Sequence, residues 1–214
     1  VQNSPARESY ITFDILGGDL TQSTGNARDL INSVLSSLNS IVANSWNGYY
    51  NALYQVNNVI SIVEDLPESD LRNLIIGEAH YFRAYIYHSL VTRWGGVPIQ
   101  RVNTMDKPFR DSEEAVWAFI EEELETALAF LGTSSSCYYV SRDAALALKA
   151  RVMLERGKKT EAAALAEGLI KDGKYKLDSF DKIFRGKTNT EVIFSFQCLA
   201  EESNITISTL FYTY

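Results

Sequence analysis

Apolar residues recur at helical spacing along most of this chain. Over residues 45–66, Trp46, Tyr49, Leu53, Val56, Ile60 and Val63 fall on one stripe, the three-and-four spacing of an amphipathic helix. Pro67 ends that helix, because its ring disfavours the helical conformation at Leu66. A second helix is predicted from about Asp70, with Ser69 as its N-cap and a stripe of Ile75, Ala79, Phe82, Ile86 and Leu90. Gly95-Gly96 and then Pro98 stop it: a left-handed glycine followed by a residue that cannot continue the helix. A third helix is predicted over residues 111–131. There Asp111 and Glu114 have capping-box spacing, and Val116, Ile120, Leu124, Ala127 and Leu131 form the stripe.

The next two helices, over residues 141–156 and 160–171, are separated by Gly157-Lys158-Lys159. Small residues dominate both, with Ala144, Ala145 and Ala147 on one and Ala162, Ala163, Ala164 and Ala166 on the other. Small side chains let antiparallel helices approach closely while larger ones interdigitate; Leu148 and Ala163 are assigned to the inner face. The unit over residues 144–173 is about the length of a tetratricopeptide repeat, roughly 34 residues. The helices at 45–66 and 70–94 form a longer, irregular hairpin of the same kind.

The two ends of the chain carry other patterns. Residues 1–26 are broken by Pro5, Gly17, Gly18 and Gly25 and read as an irregular lead-in. Residues 30–42 are read as a first short helix. Beyond Gly173, residues 175–177 are extended and residues 179–184 form a helical turn. Residues 191–197 and 205–214 read as strands on their β-branched and aromatic content. An apolar, β-prone terminus without cover is an aggregation liability, which points to a natural chain that continues. The expected fold class is therefore all-α, with tetratricopeptide-like hairpins and minor strand near the C-terminus. It divides into a lead-in at 1–44, a helical-hairpin core at 45–173, and an extended segment at 174–214 leading into a missing C-terminal half.

Composition narrows the function. The 214 residues are 46% hydrophobic, enough to bury a sizeable core. A formal net charge of −7 and a pI near 4.9 repel a phosphate backbone, and no Lys/Arg cluster offers a local footprint, so nucleic acid is not expected as a partner. Cys137 and Cys198 lie in no metal-like spacing and read as ordinary thiols; whether they pair is open. No apolar run is long enough to span a bilayer. Residues 1–5 lack the charged-then-apolar order of an export signal, so the chain is either cytosolic or a mature form whose signal has been removed.

Little catalytic chemistry is visible. His80 and His88 are eight residues apart on one helix and read as packing or surface residues. No His-Glu-x-x-His, Gly-x-Ser-x-Gly or phosphate-cradling glycine loop occurs. Glu113, Glu114, Glu121, Glu122, Glu123 and Glu125 crowd the third helix, but a glycosidase needs two carboxylates facing across a cleft; these read as a solvated acidic face. The expectation is a binding protein rather than an enzyme, with no catalytic residue, no metal ligand and no cofactor. Trp46, Tyr50, Phe82, Trp117 and Phe119 sit on helical stripes and are core candidates. Tyr138 and Tyr139 lie instead in the 132–140 loop, where a rigid scaffold presents binding residues, and are the candidate ligand contacts.

Gly77-Glu78-Ala79-His80-Tyr81-Phe82-Arg83-Ala84, then Tyr87, Leu90-Val91, Trp94-Gly95 and Val97-Pro98, resembles the signature helix of the SusD/RagB family. Trp46, Tyr50 and Asn57-Asn58 resemble the family's preceding helix. Arg110, Glu113-Glu114 to Ala127, Ala144 to Leu154, Ala162 to Ala166, Tyr175, Phe184 and Glu191-Val192-Ile193-Phe194 follow in family order. The resemblance implies a lipid-anchored, outward-facing protein of the bacterial outer membrane. Such a protein caps a TonB-dependent, SusC-like barrel transporter and captures an oligosaccharide or other nutrient for import. It also implies a helical core with tetratricopeptide-like pairs and a long C-terminal half that helps build the ligand site. That half, and a lipobox cysteine before Val1, are missing here, as expected of a processed or truncated piece. The signature positions are structural, so none transfers as a binding residue. No aromatic lies between Phe13 and Trp46, where some relatives place a stacking residue, so a starch-like ligand is not indicated.

Two other classes remain in view. A cytosolic tetratricopeptide adaptor would grip a peptide in a concave groove, but the irregular helix lengths and single repeat-length unit oppose it. A hydrolase with its active residues outside this sequence is opposed by the lack of any catalytic constellation.

Overall fold

The computed structural model describes residues 12–13, 15–18, 27–34, 36–134, 136–185 and 189–197. Seven helices are used below: α1 (Ala27–Ile31), α2 (Ser40–Glu64), α3 (Asp70–Trp94), α4 (Glu113–Phe130), α5 (Arg142–Glu155), α6 (Lys159–Lys171) and α7 (Phe180–Arg185). The chain divides into two compact units, one holding residues 1–53 and 196–214, the other Tyr54–Ser195.

In the first unit, Ile15, Ala27 and Leu30 are buried together, with Ile41 and Val42 packed against them. The single short helix expected over residues 30–42 is two pieces. α1 ends in a Schellman turn: Val34 N–H bonds to Asp29 O and Ser33 N–H to Leu30 O, with Ser33 in the left-handed region at φ 56°. Asn39 then opens α2, its Oδ1 accepting from the Ile41 N–H at 3.0 Å and its Nδ2 donating to Asp29 at 3.3 Å. α2 thus starts five residues before the stripe at 45–66 suggests. A serine tolerated at positive φ and an asparagine cap decide this break, and hydrophobic spacing does not register either.

In the second unit, α4 lies along α3, α5 packs on α4, and α6 packs on α5. α3 is the centre. Between Ile76 and Val91 it is buried on nearly every side, through Tyr81, Arg83, Tyr87 and His88 as well as through Ala79, Ile86 and Leu90 of the expected stripe. A helix covered all round belongs to a core rather than a surface. Its start is as expected, Ser69 Oγ accepting from the Arg72 N–H at 3.2 Å. Gly77 lies tightly against the end of α4: a Cβ there would stand 2.8 Å from Leu131 Cγ.

The end of α3 explains the Trp94-Gly95-Gly96-Val97-Pro98 sequence. Gly95, at φ 66°, caps the helix with its N–H on Val91 O. Gly96 lies against the Asp111 carbonyl with no room for a side chain. Arg110 donates to Gly96 O and Trp94 O, neutralising helix-end carbonyls. Asp111 Oδ2 accepts from the Ile99 N–H at 2.7 Å, so Asp111 is not the cap of α4. Ser112 is, its Oγ accepting from the Ala115 N–H at 3.2 Å. The Asp111/Glu114 capping box is corrected accordingly: tertiary contact with the end of α3 takes the aspartate.

α5 and α6 pack on one another across a turn that holds Gly157 at φ 75°; Ala144, Ala145, Leu148 and Val152 are buried on α5 and Ala162 on α6. Ala163 is exposed. The buried position is Ala162, one residue before the inner-face Ala163 that the sequence predicts, because a run of alanines carries no hydrophobic contrast to set the phase.

No strand occurs among the described residues, so the strand expected at 191–197 is corrected to irregular chain with bends. Its neighbourhood holds single backbone bonds, Ser195 N–H to Cys137 O at 2.9 Å and Lys176 N–H to Thr190 O at 2.8 Å. A strand needs a continuous ladder, and two isolated bonds do not make one. The strand expected at 205–214 lies outside the described residues, as does Cys198.

Candidate binding cleft

Two polar regions of the second unit could carry chemistry. The first is the web around Glu123. Periodicity places Arg83 within the buried turns of α3 and Glu123 between Ile120 and Ala127 on α4. Arg83 Nε and Nη2 grip Glu123 at 2.6 and 2.8 Å, a two-point match of guanidinium to carboxylate. His80 Nδ1 lies 2.8 Å from Glu123 Oε2. Arg83 Nη1 also donates to Asn57 Oδ1 at 3.2 Å and Arg101 O at 3.0 Å, while Asn57 Nδ2 donates to Gln100 O at 3.0 Å. Glu123 is 1% exposed and Arg83 5%. Glu123 is thus no part of a solvated acidic face.

This web is built to hold parts together. It ties α2, α3, α4 and the 100–101 segment with hydrogen bonds that occupy the guanidinium and both carboxylate oxygens. His88 is similarly engaged, its Nε2 2.7 Å from Glu155 and its ring 6.0 Å from Trp117. Of the other glutamates of α4, Glu114 and Glu121 pair with Arg156, Glu121 also with Lys158, Glu122 with Arg101 and Glu125 with Lys149, while Glu113 accepts from Trp117 Nε1. Among the described residues no three His, Cys, Asp or Glu side chains cluster as metal ligands.

The second region is a cleft of about 440 Å³. One wall is the loop between α4 and α5, the other the chain on either side of α7. Ser134, Ser136, Tyr138, Lys174, Tyr175 and Asn189 contribute its polar lining, and Ile183, Val192 and Ile193 its apolar part. The loop wall is shaped by its own serines: Ser134 Oγ accepts from Ser136 N–H at 3.2 Å, and Ser136 Oγ from Tyr138 N–H at 3.2 Å. The opposite wall is fixed by Asp143, which receives Lys174 Nζ at 2.6 Å and Tyr175 OH at 2.8 Å. Burial works to raise the Asp143 carboxyl, but Lys174 and Tyr175, with Arg142 nearby, together hold it below its usual range. Asp143 in turn holds the Lys174 ammonium above its ordinary value. Asn189 Oδ1 accepts from Glu191 N–H and Val192 N–H, closing the turn into the last wall.

The two candidate tyrosines separate here. Tyr138 lines the cleft at 44% exposure, whereas Tyr139, 65% exposed, does not. Sequence reasoning missed Lys174, Tyr175 and Asn189, since nothing in their spacing announces that two distant loops meet. It also missed the web, although two opposite charges on facing apolar stripes, Arg83 and Glu123, are a signal that could have found it.

A family model described as SusD-like, "Starch-binding associating with outer membrane", matches residues 1–154. A SusD-like protein of Formosa agariphila is 29% identical over 166 residues, covering 75% of this chain and 32% of that protein. A crystal structure holding a xylogluco-oligosaccharide shares the fold with a TM-score of 0.80 at 23% identity, over 92% of this chain and 45% of that one. A laminarin-binding SusD-like protein gives 0.75 at 20% identity, over 89% and 48%. At those identities the likeness to the two structures is one of fold. The chain spans about a third of the curated relative's length and under half of each solved chain.

Proposed function

The chain belongs to the SusD-like family, and on that premise we propose that it is a glycan-binding component of an outer-membrane nutrient-uptake complex. The observation that carries this is the family match over residues 1–154, whose description joins glycan binding to the outer membrane. In this reading the protein is lipid-anchored, faces outward, and works against a TonB-dependent, SusC-like barrel. It binds an oligosaccharide without metal or cofactor and does not cleave it. The relatives whose names mention xylogluco-oligosaccharide and laminarin support a glycan over other nutrients. The Arg83–Glu123 pair supports a binding role over hydrolysis, because its guanidinium and carboxylate are committed to the fold.

The test uses the tagged chain as bait on detergent-solubilised outer membranes of the bacterium that encodes it, with a panel of oligosaccharides titrated in parallel. Recovery of a barrel protein and weak, metal-independent glycan binding are expected. Recovery of no barrel together with binding of no glycan, or turnover of a glycan lost on changing one residue, would overturn the reading.

A further inference from the structure

The cleft between the loop that holds Tyr138 and residues 174–175, 183 and 189–195 has the size of a small-molecule site, which typically runs from about 300 to 1,000 Å³. Its groups sort into two kinds. Asp143, Lys174, Tyr175 OH and Asn189 Oδ1 are spent on holding the walls. The Tyr138 hydroxyl and the Asn189 Nδ2 amide make no hydrogen bond among the described residues, and both residues line the space. Beside them lie the Tyr138 ring and the apolar side chains of Ile183, Val192 and Ile193. A preformed wall, an aromatic face, an apolar patch and uncommitted polar tips are the ingredients of recognition for a ring with one C–H face and a rim of hydroxyls.

Charge narrows the class. Among the described lining residues Lys174 alone carries a formal charge, and Asp143 receives its ammonium at 2.6 Å. A carboxylate or sulfate brought to Lys174 would lie close to the Asp143 carboxylate already paired with that ammonium and be repelled by it. A neutral hydroxyl needs only the Asn189 amide and the Tyr138 hydroxyl.

We infer that this cleft is a binding site for a short stretch of neutral oligosaccharide, with Tyr138 stacking on a sugar ring and Asn189 Nδ2 donating to a hydroxyl. The inference rests on the glycan-binding reading above and gives it a location and a charge preference. It separates the two loop tyrosines: Tyr138 touches ligand and Tyr139 does not.

The experiment titrates the chain with neutral disaccharides (laminaribiose, cellobiose, xylobiose and maltose) and with a glucuronic-acid-containing and a sulfated disaccharide, followed by ligand-observed NMR and calorimetry. At least one neutral disaccharide should bind with a dissociation constant on the order of 1–10 mM, the range of a few weak contacts. Tyr138→Ala should weaken it about tenfold or more, Tyr138→Phe about threefold, and Tyr139→Ala not at all. Asn189→Asp keeps the Oδ1 that closes the turn while removing the donor, and should weaken binding with the circular dichroism spectrum unchanged. Equal or tighter binding of the charged sugars overturns the charge preference. Neutral binding that survives Tyr138→Ala and Asn189→Asp overturns the cleft and leaves the glycan-binding reading standing. Binding of no disaccharide overturns the site, while recovery of the barrel judges the broader reading separately.

Discussion

The Glu123 web and the Tyr138 cleft use the same kinds of group to opposite ends. Around Glu123, a guanidinium, a carboxylate, an imidazole and an amide are buried, bonded to one another and to the backbone of residues 100–101. Around Tyr138, polar groups face open space, and only those that shape the walls are occupied. Polar residues that satisfy one another in a low-dielectric interior specify a fold; polar tips left over at a preformed surface can recognise something else. Residue type alone would have ranked the web, with its histidine and carboxylate, as the more functional of the two. Satisfaction of hydrogen bonds reverses that order.

The largest effect should come from breaking the web. Glu123→Ala leaves the Arg83 charge buried without its carboxylate and should cost about 3–5 kcal/mol in urea unfolding. A loss below 1 kcal/mol would mean water reaches Arg83 and the contrast with the cleft is false.

Removing the brace of the cleft wall should matter less. Asp143→Ala frees Lys174 and Tyr175 at a part-exposed site, with an expected cost of about 1.5–3 kcal/mol. A cost equal to that of Glu123→Ala would show that the wall is core rather than surface.

Acid should act on the paired carboxylates at the surface. Burial works to raise Glu121, Asp143 and Glu155, but Lys158 and Arg156, Lys174 and Tyr175, and His88 and Arg151 respectively hold all three below their ordinary values. The unfolded chain therefore takes up these protons first as pH falls. Their stabilisation is complete above the unfolded carboxyl pKa values and is lost as pH drops through the folded ones. Melting temperature should fall below about pH 4.5, where unfolded carboxyls protonate, and Asp143→Asn should flatten part of that slope. An unchanged slope in Asp143→Asn would remove Asp143 from the account.

The smallest effects sharpen the contrast from the other side. Glu122 neighbours Glu123 in sequence but pairs with Arg101 in water, so Glu122→Gln should cost about 0.2–1 kcal/mol. Tyr138→Ala should change stability by no more than about 0.5 kcal/mol while affecting binding. A large stability loss there would make Tyr138 a packing residue.

Much of the helical scaffold was legible in sequence, because helix spacing and punctuation are local. The stripes through Leu53, Ile86, Leu90 and Ile120, the Ser69 cap and the Gly95 stop depend on residues within a turn or two of each other, and they stand where expected. The ordered elements around Gly77–Ala84 and Trp94–Pro98 likewise identified the family, since a signature is a linear pattern. Where a residue's role depended on a distant partner, the tertiary structure decided it. Asp111 was drawn from a capping role to the Ile99 N–H, Glu123 from an acidic face to Arg83, and Ala163 from an inner face to water. The segment at 191–197 has the composition of a strand and no ladder to join. The loop points to Tyr138 and Tyr139 alike, and only residues 174–175, 183 and 189–195, brought beside that loop, separate the two. Helical propensity and periodicity act over a few residues, while burial, hydrogen-bond satisfaction and cleft formation are properties of groups that meet only in three dimensions.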